Sequence, residues 1–227
     1  MAIVCWKHRL LFIMTPRTAC TAIGQLLCER YGGEFLPAED ILDEEGFISV
    51  QKKHSTLAQL INRKLITPEQ AGSLLKFAAV RNPFDSLVSL YFKQRYKYQP
   101  LLGDPASWVN RSRGYPEAMR YAAKHSFNRW VFRVCRRKIA KRLLGGSPSM
   151  FADFTAGMDM IMRFETLEAD LNEVFRRAGL PGDGRIPVSN QTIEKSGEHY
   201  RTYYSRAAAL AAGVAYSTDV RMYRYAF

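Results

Sequence analysis

Three strand candidates, each followed by a helical pattern, constrain the fold of this chain more than any other feature. Residues 10–14 and 77–80 are short apolar runs, of which the first is continuous enough for a buried parallel strand, and residues 158–164 are the third candidate. Parallel strands need crossover connections, which the helical patterns between the runs supply. The sequence therefore predicts an α/β fold: a three-layer sandwich with a central, mostly parallel sheet and a phosphate-binding-loop-like strand-turn-helix.

Capping residues indicate where the predicted helices begin. A helix is predicted over residues 18–31, and Thr67 has the sequence context of an N-cap. Asn82, followed by a proline, is predicted to begin a helix that reaches about Tyr98. Because no repeat, low-complexity tract or linker divides the chain, we expect a single domain over residues 1–227.

The net charge of +12 favours anionic partners, which include nucleic acid, acidic membranes and small molecules that carry phosphate or sulfate. The four cysteines have no CxxC spacing and no histidines at metal-ligand spacing, so we expect reduced thiols and no metal site. No window approaches the roughly 20 apolar residues that span a bilayer. These features predict a cytoplasmic protein without a transmembrane segment.

The stretch "FIMTPRTACTAIG", residues 12–24, has the properties of an anion-binding loop. The first N–H groups of a helix that follows a strand and a tight turn lack partners within the helix, and the helix dipole adds positive potential. Arg17 adds a charge, and Thr18 and Thr21 add hydroxyl donors. The loop lacks the Gly-Lys-Ser/Thr ending of ATP-binding loops. These residues alone leave a purely structural turn as an equal alternative.

A second stretch, "FAAVRNPFDSLVSLYFKQR", covers residues 77–95. Arg81 comes just after a predicted strand, where open α/β sheets bind ligands. Ser89 lies about two turns into the next helix, within reach of a phosphate shared with Arg81. From these residues alone, an Arg-Asn-Pro helix cap with a solvated serine is the favoured interpretation.

Read together, "TPRTACTA" and "VRNPFDSLVSLY" resemble the two signature segments of sulfotransferases that use 3′-phosphoadenosine 5′-phosphosulfate (PAPS). The stretch "IMRFETLEADLNEVFRRAGLP" and the C-terminal Tyr-Tyr…Asp…Tyr ending are also similar to that family. Order and spacing match across nearly the whole chain. The resemblance is closest to the carbohydrate-type branch.

This resemblance implies PAPS as donor and adenosine 3′,5′-bisphosphate (PAP) as product. It implies that the 5′-phosphosulfate is held by a loop that comprises Arg17, Thr18, Ala19, Cys20, Thr21 and Ala22. Arg81 and Ser89 would bind the 3′-phosphate. Lys195 lies in a polar loop that would close over the nucleotide, although a solvated loop with an incidental lysine is an equal alternative.

Two residues depart from the family pattern. Arg17 replaces the usual lysine, which keeps the charge but changes the donor geometry. Cys20 replaces a glycine, so the loop must manage without a left-handed residue at that position. A helix N-terminus is also expected to make the Cys20 thiol unusually acidic.

Sulfuryl transfer requires a base for the acceptor, positive charge on the transferring group and in-line geometry. His54, in "VQKKHSTLAQL", falls where the resemblance places a histidine before a helix, and histidine titrates near neutrality. We therefore predict His54 and Arg17 as catalytic residues. Glu34 or Asp40 is the alternative base, since some relatives use a carboxylate.

The resemblance thus implies sulfuryl transfer to a hydroxyl of a glycan or small-molecule acceptor, with a helical acceptor-side insert at about residues 99–150. Transfer to an amine is less favoured. A nucleic-acid-binding or nucleotide-binding module that uses the basic segment 129–142 is the main alternative, but that segment has few interleaved aromatic residues. No nucleic-acid partner is expected. A nucleotide kinase is disfavoured by the missing Gly-Lys-Ser/Thr.

Overall fold

The computed structural model describes residues 2–147, 149–182, 185–186 and 198–227. Their contacts divide the chain into two compact units. The sheet unit comprises the described residues within 1–43, 49–81 and 153–191. The helical unit comprises those within 44–48, 82–152 and 192–227.

Seven strands and ten α-helices are found among the described residues. The strands are β1 (Ala2–Cys5), β2 (Leu10–Ile13), β3 (Glu34–Leu36), β4 (Ile41–Leu42), β5 (Ile48–Val50), β6 (Leu75–Val80) and β7 (Met160–Arg163). The helices are α1 (Cys20–Tyr31), α2 (Leu57–Asn62), α3 (Pro68–Gly72), α4 (Pro83–Phe92), α5 (Tyr115–Lys124), α6 (Phe127–Leu143), α7 (Ala152–Thr155), α8 (Leu167–Arg177), α9 (Arg206–Ala215) and α10 (Ser217–Met222).

The central sheet has five strands in the order β3-β1-β2-β6-β7, and β4 pairs with β5 in a separate two-stranded sheet. Strand β2 is parallel to β6, and β6 is parallel to β7. Strand β1 is antiparallel to both of its neighbours, so β3 runs in the same direction as β2. Four of the five strands therefore share one direction, which agrees with the predicted, mostly parallel sheet.

Both faces of the sheet are covered, because alternate residues of β2 pack into two different clusters. Phe12 packs in one cluster with Ile23 of α1 and Phe175 of α8. Leu11 packs in the other with Leu60 of α2. A strand buried on both faces reads as a continuous apolar run, which is why β2 was visible in the sequence. The predicted α/β sandwich is confirmed.

The caps predicted from the sequence are present. The Thr67 side chain accepts from the backbone N–H of Gln70 at 3.1 Å. In the helical unit, Asn82 Oδ1 accepts from the backbone N–H of Phe84 at 3.0 Å, and α4 continues into a π-helix over Lys93–Lys97. The predicted insert contains α5 and α6, and its place on the acceptor side stays a prediction. Among the described helices, none has both the length and the apolarity needed to cross a bilayer.

Candidate functional site

The loop between β2 and α1 has an unusual backbone for residues other than glycine. Arg17 and Ala19 both adopt positive φ, at 72° and 56°. The Thr18 hydroxyl donates to the carbonyl of Thr15 at 2.9 Å and closes the turn. Left-handed backbone costs an L-residue about 1–2 kcal/mol and is found preferentially at functional sites. The loop is therefore strained where the sequence predicts anion binding.

The start of α1 fits an anionic group. Ala19 is the N-cap residue, and a methyl group cannot accept hydrogen bonds from the first-turn N–H groups as a serine or aspartate would. The Ala22 N–H donates to the Ala19 carbonyl at 2.9 Å, so it is the earlier N–H groups, together with the helix dipole, that can meet an external acceptor. The buried Oγ1 of Thr15 also lacks a hydrogen-bond partner within the part of the chain that the structure describes. A buried hydroxyl without a partner needs a physical explanation, and a functional role or a bound water or ion is among those that proteins use.

Cys20 is the first residue of α1, and it is buried. Burial raises the pKa of its thiol, although Lys53 and Arg17 act in the opposite direction. The expectation of an unusually acidic thiol is therefore wrong, because desolvation outweighs the helix N-terminus and the nearby cations. The left-handed residues of the loop are Arg17 and Ala19. Cys20, which follows them, already has ordinary helical backbone.

Arg81 and the loop meet in the sheet unit. Arg81 directly follows β6, the parallel neighbour of β2, and its Nη1 donates to the carbonyl of Arg17 at 2.9 Å. Its guanidinium carbon lies 3.9 Å from the centroid of the Phe164 ring. A planar guanidinium stacked on an aromatic ring is held in a defined orientation. The carboxyl ends of two adjacent parallel strands thus bring together the two segments on which the resemblance depends.

His54 is hydrogen-bonded to the strand end that precedes the loop. Its Nδ1 lies 2.8 Å from the carbonyl oxygen of Met14. A carbonyl can only accept, so Nδ1 carries the proton and Nε2 keeps its lone pair. Burial lowers the pKa of His54 to about 3, and the charges of Lys53 and Arg17 act in the same direction. The imidazole is therefore neutral at physiological pH, and the lone pair of Nε2 is free to accept a hydrogen bond.

Ser55 anchors the histidine segment to the sheet. It is fully buried, and its hydroxyl accepts from the backbone N–H of Ala2 in β1 at 3.1 Å. The same hydroxyl donates to the carbonyl of Leu36 in β3 at 3.1 Å. Ser55 and Phe164 were not identified from the sequence. Ser55 contacts two strands and Phe164 contacts Arg81, and these partners lie far from them along the chain and become neighbours only in the fold.

The two alternative bases have other surroundings. The Asp40 carboxylate accepts from the backbone N–H of Lys52 at 2.5 Å, which is a structural bond. Glu34 is an exposed residue at the start of β3. Of the three candidate bases, His54 is the one bonded to the residue that leads into the loop.

Two predicted residues lie elsewhere. Ser89 is buried on α4 in the helical unit, on the helix that follows Arg81 along the chain. Lys195 lies outside the described residues. The structure therefore brings the loop over residues 17–22 together with His54 and Arg81. Within the residues it describes, no group of three or more His, Cys, Asp or Glu side chains is arranged to hold a metal.

A half-open cavity of about 230 Å³ adjoins the loop. It is lined by Met14, Thr21, Gln25, Cys28, Glu29 and Phe35. The Gln25 amide donates to the Glu29 carboxylate at 2.8 Å, and both side chains are exposed on one face of α1. The cavity shares Met14 with the His54 hydrogen bond and Thr21 with the loop. It is therefore a candidate pocket for a group that reacts at the loop.

The strain at Ala19 leads to a stability prediction. Replacing Ala19 with glycine is expected to raise the free energy of unfolding by about 0.5–1 kcal/mol, because glycine tolerates positive φ without the steric cost of Cβ. Urea unfolding measures the change. The matched control is Ala22→Gly inside α1, which should lower stability by about 1 kcal/mol. Equal destabilisation by both substitutions would contradict the assigned strain.

A sequence model of the sulfotransferase family matches residues 1–226. The chain therefore belongs to the sulfotransferase family. It is also similar to carbohydrate sulfotransferase 11 of Rattus norvegicus, at 26% identity over 217 residues. The carbohydrate sulfotransferase 11 of Mus musculus matches with the same identity and length.

The alignment covers 89% of this chain and 59% of each curated relative, so the chain spans somewhat more than half of their length. No solved structure matches significantly. The predicted resemblance to sulfotransferases of the carbohydrate-type branch is confirmed. The cytoplasmic localisation stays a prediction.

Proposed function

We propose that this protein transfers a sulfuryl group from PAPS to a hydroxyl of a glycan or small-molecule acceptor. The observation that carries the proposal is the convergence of Arg17, His54 and Arg81 on one loop at the carboxyl ends of β2 and β6. These are three residues that the resemblance selected from distant parts of the sequence. Family membership supports the transfer, and the names of the curated relatives support a carbohydrate acceptor.

The residues at the loop have complementary roles in this proposal. The N–H groups at the start of α1 and the charge of Arg17 stabilise the negative charge that develops on the leaving phosphate. Nε2 of His54 accepts the proton of the acceptor hydroxyl. The acceptor oxygen forms a bond to sulfur as the bond between sulfur and the 5′-phosphate oxygen breaks. PAP is the leaving group, and the chemistry balances without a metal.

The 3′-phosphate end of the donor is assigned to Arg81 and Ser89. Stacking on Phe164 fixes the plane of the Arg81 guanidinium, which suits the fork geometry of a phosphate contact. The Ser89 hydroxyl is proposed as a second donor. Lys195 is proposed as a cation that closes over the nucleotide.

The acceptor is proposed to enter the cavity beside the loop. The Phe35 ring offers an apolar face for the C–H groups of a sugar ring, and the Gln25 amide and Glu29 carboxylate offer partners for hydroxyl groups. The Glu29 charge would disfavour an acceptor group that is itself anionic at this position. A neutral sugar hydroxyl fits these groups best.

The proposal is tested by mass spectrometry of a panel of glycan acceptors incubated with the protein and PAPS. The expected result is the mass gain of one SO₃ on at least one neutral-sugar acceptor, and no gain when ATP replaces PAPS. Thermal shift assays should show stabilisation by PAPS and PAP, and none by ATP or duplex DNA. Stabilisation by DNA without stabilisation by PAP would instead support the nucleic-acid-binding alternative and refute the donor assignment.

A further inference from the structure

An exposed apolar stripe runs along α6 in the helical unit. Phe132, Ile139 and Leu143 are 43%, 38% and 82% exposed. They lie at helical spacings of seven and four residues, which places them on one face. Leu144, at the end of the helix, is 88% exposed. Side chains of this size are rarely left in water along a continuous stripe without a partner.

Helix α9 adds to this apolar surface. Leu210 and Val214, one helical turn apart, are 71% and 56% exposed. They line a groove of about 590 Å³ together with Phe227 and the side chain of Arg142 from α6. The groove lining is predominantly apolar. The exposed stripe of α6 and the exposed pair on α9 therefore meet at Arg142.

The charge around these side chains has one sign. Of the exposed basic residues of α6, Arg129, Arg136 and Arg142 lie three or four residues from a member of the stripe and flank it, whereas Arg137 and Lys141 project away from Phe132, Ile139 and Leu143. Neither α6 nor α9 contains an acidic residue, and the one acidic residue of α10, Asp219, is fully buried. Long basic side chains can lay their methylene groups on an apolar surface and keep the charge at its edge. Arg142 has this environment.

We propose that the α6–α9 surface, defined by Leu143, Leu144, Leu210, Val214 and the flanking Arg136 and Arg142, binds the surface of an anionic lipid bilayer. A helix with large apolar side chains flanked by lysine and arginine is the arrangement that lies in the interfacial region of membranes. The leucine side chains insert among the acyl chains, and the cations bind anionic headgroups. This surface is independent of the proposed transfer reaction.

The chemistry of this surface favours an anionic bilayer over a second copy of the chain and over a nucleic acid. A second copy of the chain would bring two surfaces of the same positive sign together, which is unfavourable. A nucleic acid would satisfy the cations but would leave the leucines without an apolar partner. An anionic bilayer satisfies both sets of groups.

The test is co-sedimentation of the full chain with vesicles. Phosphatidylcholine vesicles that contain about a third phosphatidylglycerol should bind the protein, and pure phosphatidylcholine vesicles should bind it far more weakly. Arg136→Gln combined with Arg142→Gln should weaken partitioning roughly tenfold. Leu143→Ser combined with Leu210→Ser should weaken it at least as much. All substituted residues are exposed, so thermal midpoints should be unchanged.

Matched controls separate this surface from general adsorption. Leu42→Ser with Ile161→Ser removes two exposed apolar side chains of the sheet unit. Lys7→Gln with Lys64→Gln removes two exposed charges there. Both controls should bind as the unaltered protein does.

Three results would overturn the proposal. They are equal binding to both kinds of vesicle, equal losses in control and test variants, and self-association that the leucine substitutions abolish. Duplex DNA binding that survives the leucine substitutions, in a protein that does not bind vesicles, would assign the surface to nucleic acid instead.

Discussion

Replacing His54 with alanine is expected to lower turnover by about 10²–10⁴-fold, the range typical of losing a general base. Binding of PAP should stay within about twofold, because His54 contacts the backbone of Met14 rather than the residues assigned to the nucleotide. Initial rates with saturating PAPS and isothermal titration with PAP measure the two quantities. Intact turnover would remove His54 from the mechanism.

The physical reason lies in the tautomer. The Met14 carbonyl accepts a hydrogen bond from Nδ1–H, so the proton of the neutral ring is on Nδ1. Nε2 is then a hydrogen-bond acceptor. The pKa of His54, lowered to about 3, keeps the ring neutral throughout the physiological range. Binding of a dianionic group beside Arg17 would offset the positive potential that helps to lower this pKa, and it would therefore raise the pKa of His54. That shift would bring the base closer to the operating pH, where proton transfer is most efficient.

His125 provides a matched control. It has the same kind of hydrogen bond, from Nδ1 to the backbone carbonyl of Tyr121 at 2.9 Å, but it lies in the helical unit and stacks on the Tyr121 ring. His125→Ala should therefore leave turnover essentially unchanged once folding is verified. Equal losses in both variants would indicate a general effect of removing a partly buried imidazole.

The same pKa has a consequence for stability. The folded pKa of His54 is lowered from 6.5 to about 3, so between these values the unfolded chain binds a proton that the folded protein does not. Its contribution to stability is present above pH 6.5 and is lost as the pH falls towards 3. Urea unfolding of the protein and of His54→Ala across this window should show a smaller pH dependence in the variant. A nitrogen-15 NMR titration should show the Nδ1–H tautomer of His54 down to about pH 4.

Replacing Arg81 with alanine is expected to weaken PAP binding by about 10–100-fold, since hydrogen bonds to charged groups contribute about 1.5–3 kcal/mol. The substitution also removes the bond to the Arg17 carbonyl, so PAPS affinity should fall at least as much. Isothermal titration measures both affinities. Unchanged PAP binding would show that the 3′-phosphate is bound elsewhere.

Two further variants separate the phosphate contact from loop support. Arg9 also donates from its guanidinium to a backbone carbonyl in the sheet unit, that of Ser73 at 3.1 Å. Arg9→Ala should therefore leave nucleotide binding unchanged. Arg81→Lys keeps a charge but loses the fork and the stacking on Phe164, so it should restore only part of the affinity. Full restoration by lysine would reduce the role of Arg81 to that of a point charge.

The sheet and the loop could be predicted because their signals are local. Strands β2 and β6 are buried on both faces, and Asn82-Pro83 is an explicit helix start, so the pattern alone places them. Strand β1 is as short, apolar and buried as β2, but it was not predicted because no glycine, proline, asparagine or aspartate marks the connection between the two strands. The connection from β1 to β2 also turns at a left-handed arginine, Arg9, rather than at the glycine that usually signals a turn.

The details of the site could be predicted less well, because they depend on contacts between residues far apart in sequence. The positive φ angles at Arg17 and Ala19 leave no trace in residue types that normally avoid them. The raised pKa of the Cys20 thiol depends on how much protein covers the helix start. Likewise, the neutral state of His54 follows from its burial and from a carbonyl that belongs to residue 14.

The hydrogen bond from Arg81 to the Arg17 carbonyl links the proposed donor site from end to end. One guanidinium supports the strained turn at the sulfuryl end while it is assigned to the phosphate at the opposite end. Binding free energies at two such positions are coupled, and the coupling is reciprocal. A donor without its 3′-phosphate would therefore lose not only that contact but also the ordering that the contact transmits to the loop. Discrimination between PAPS and simpler adenylates would then exceed the sum of its individual contacts.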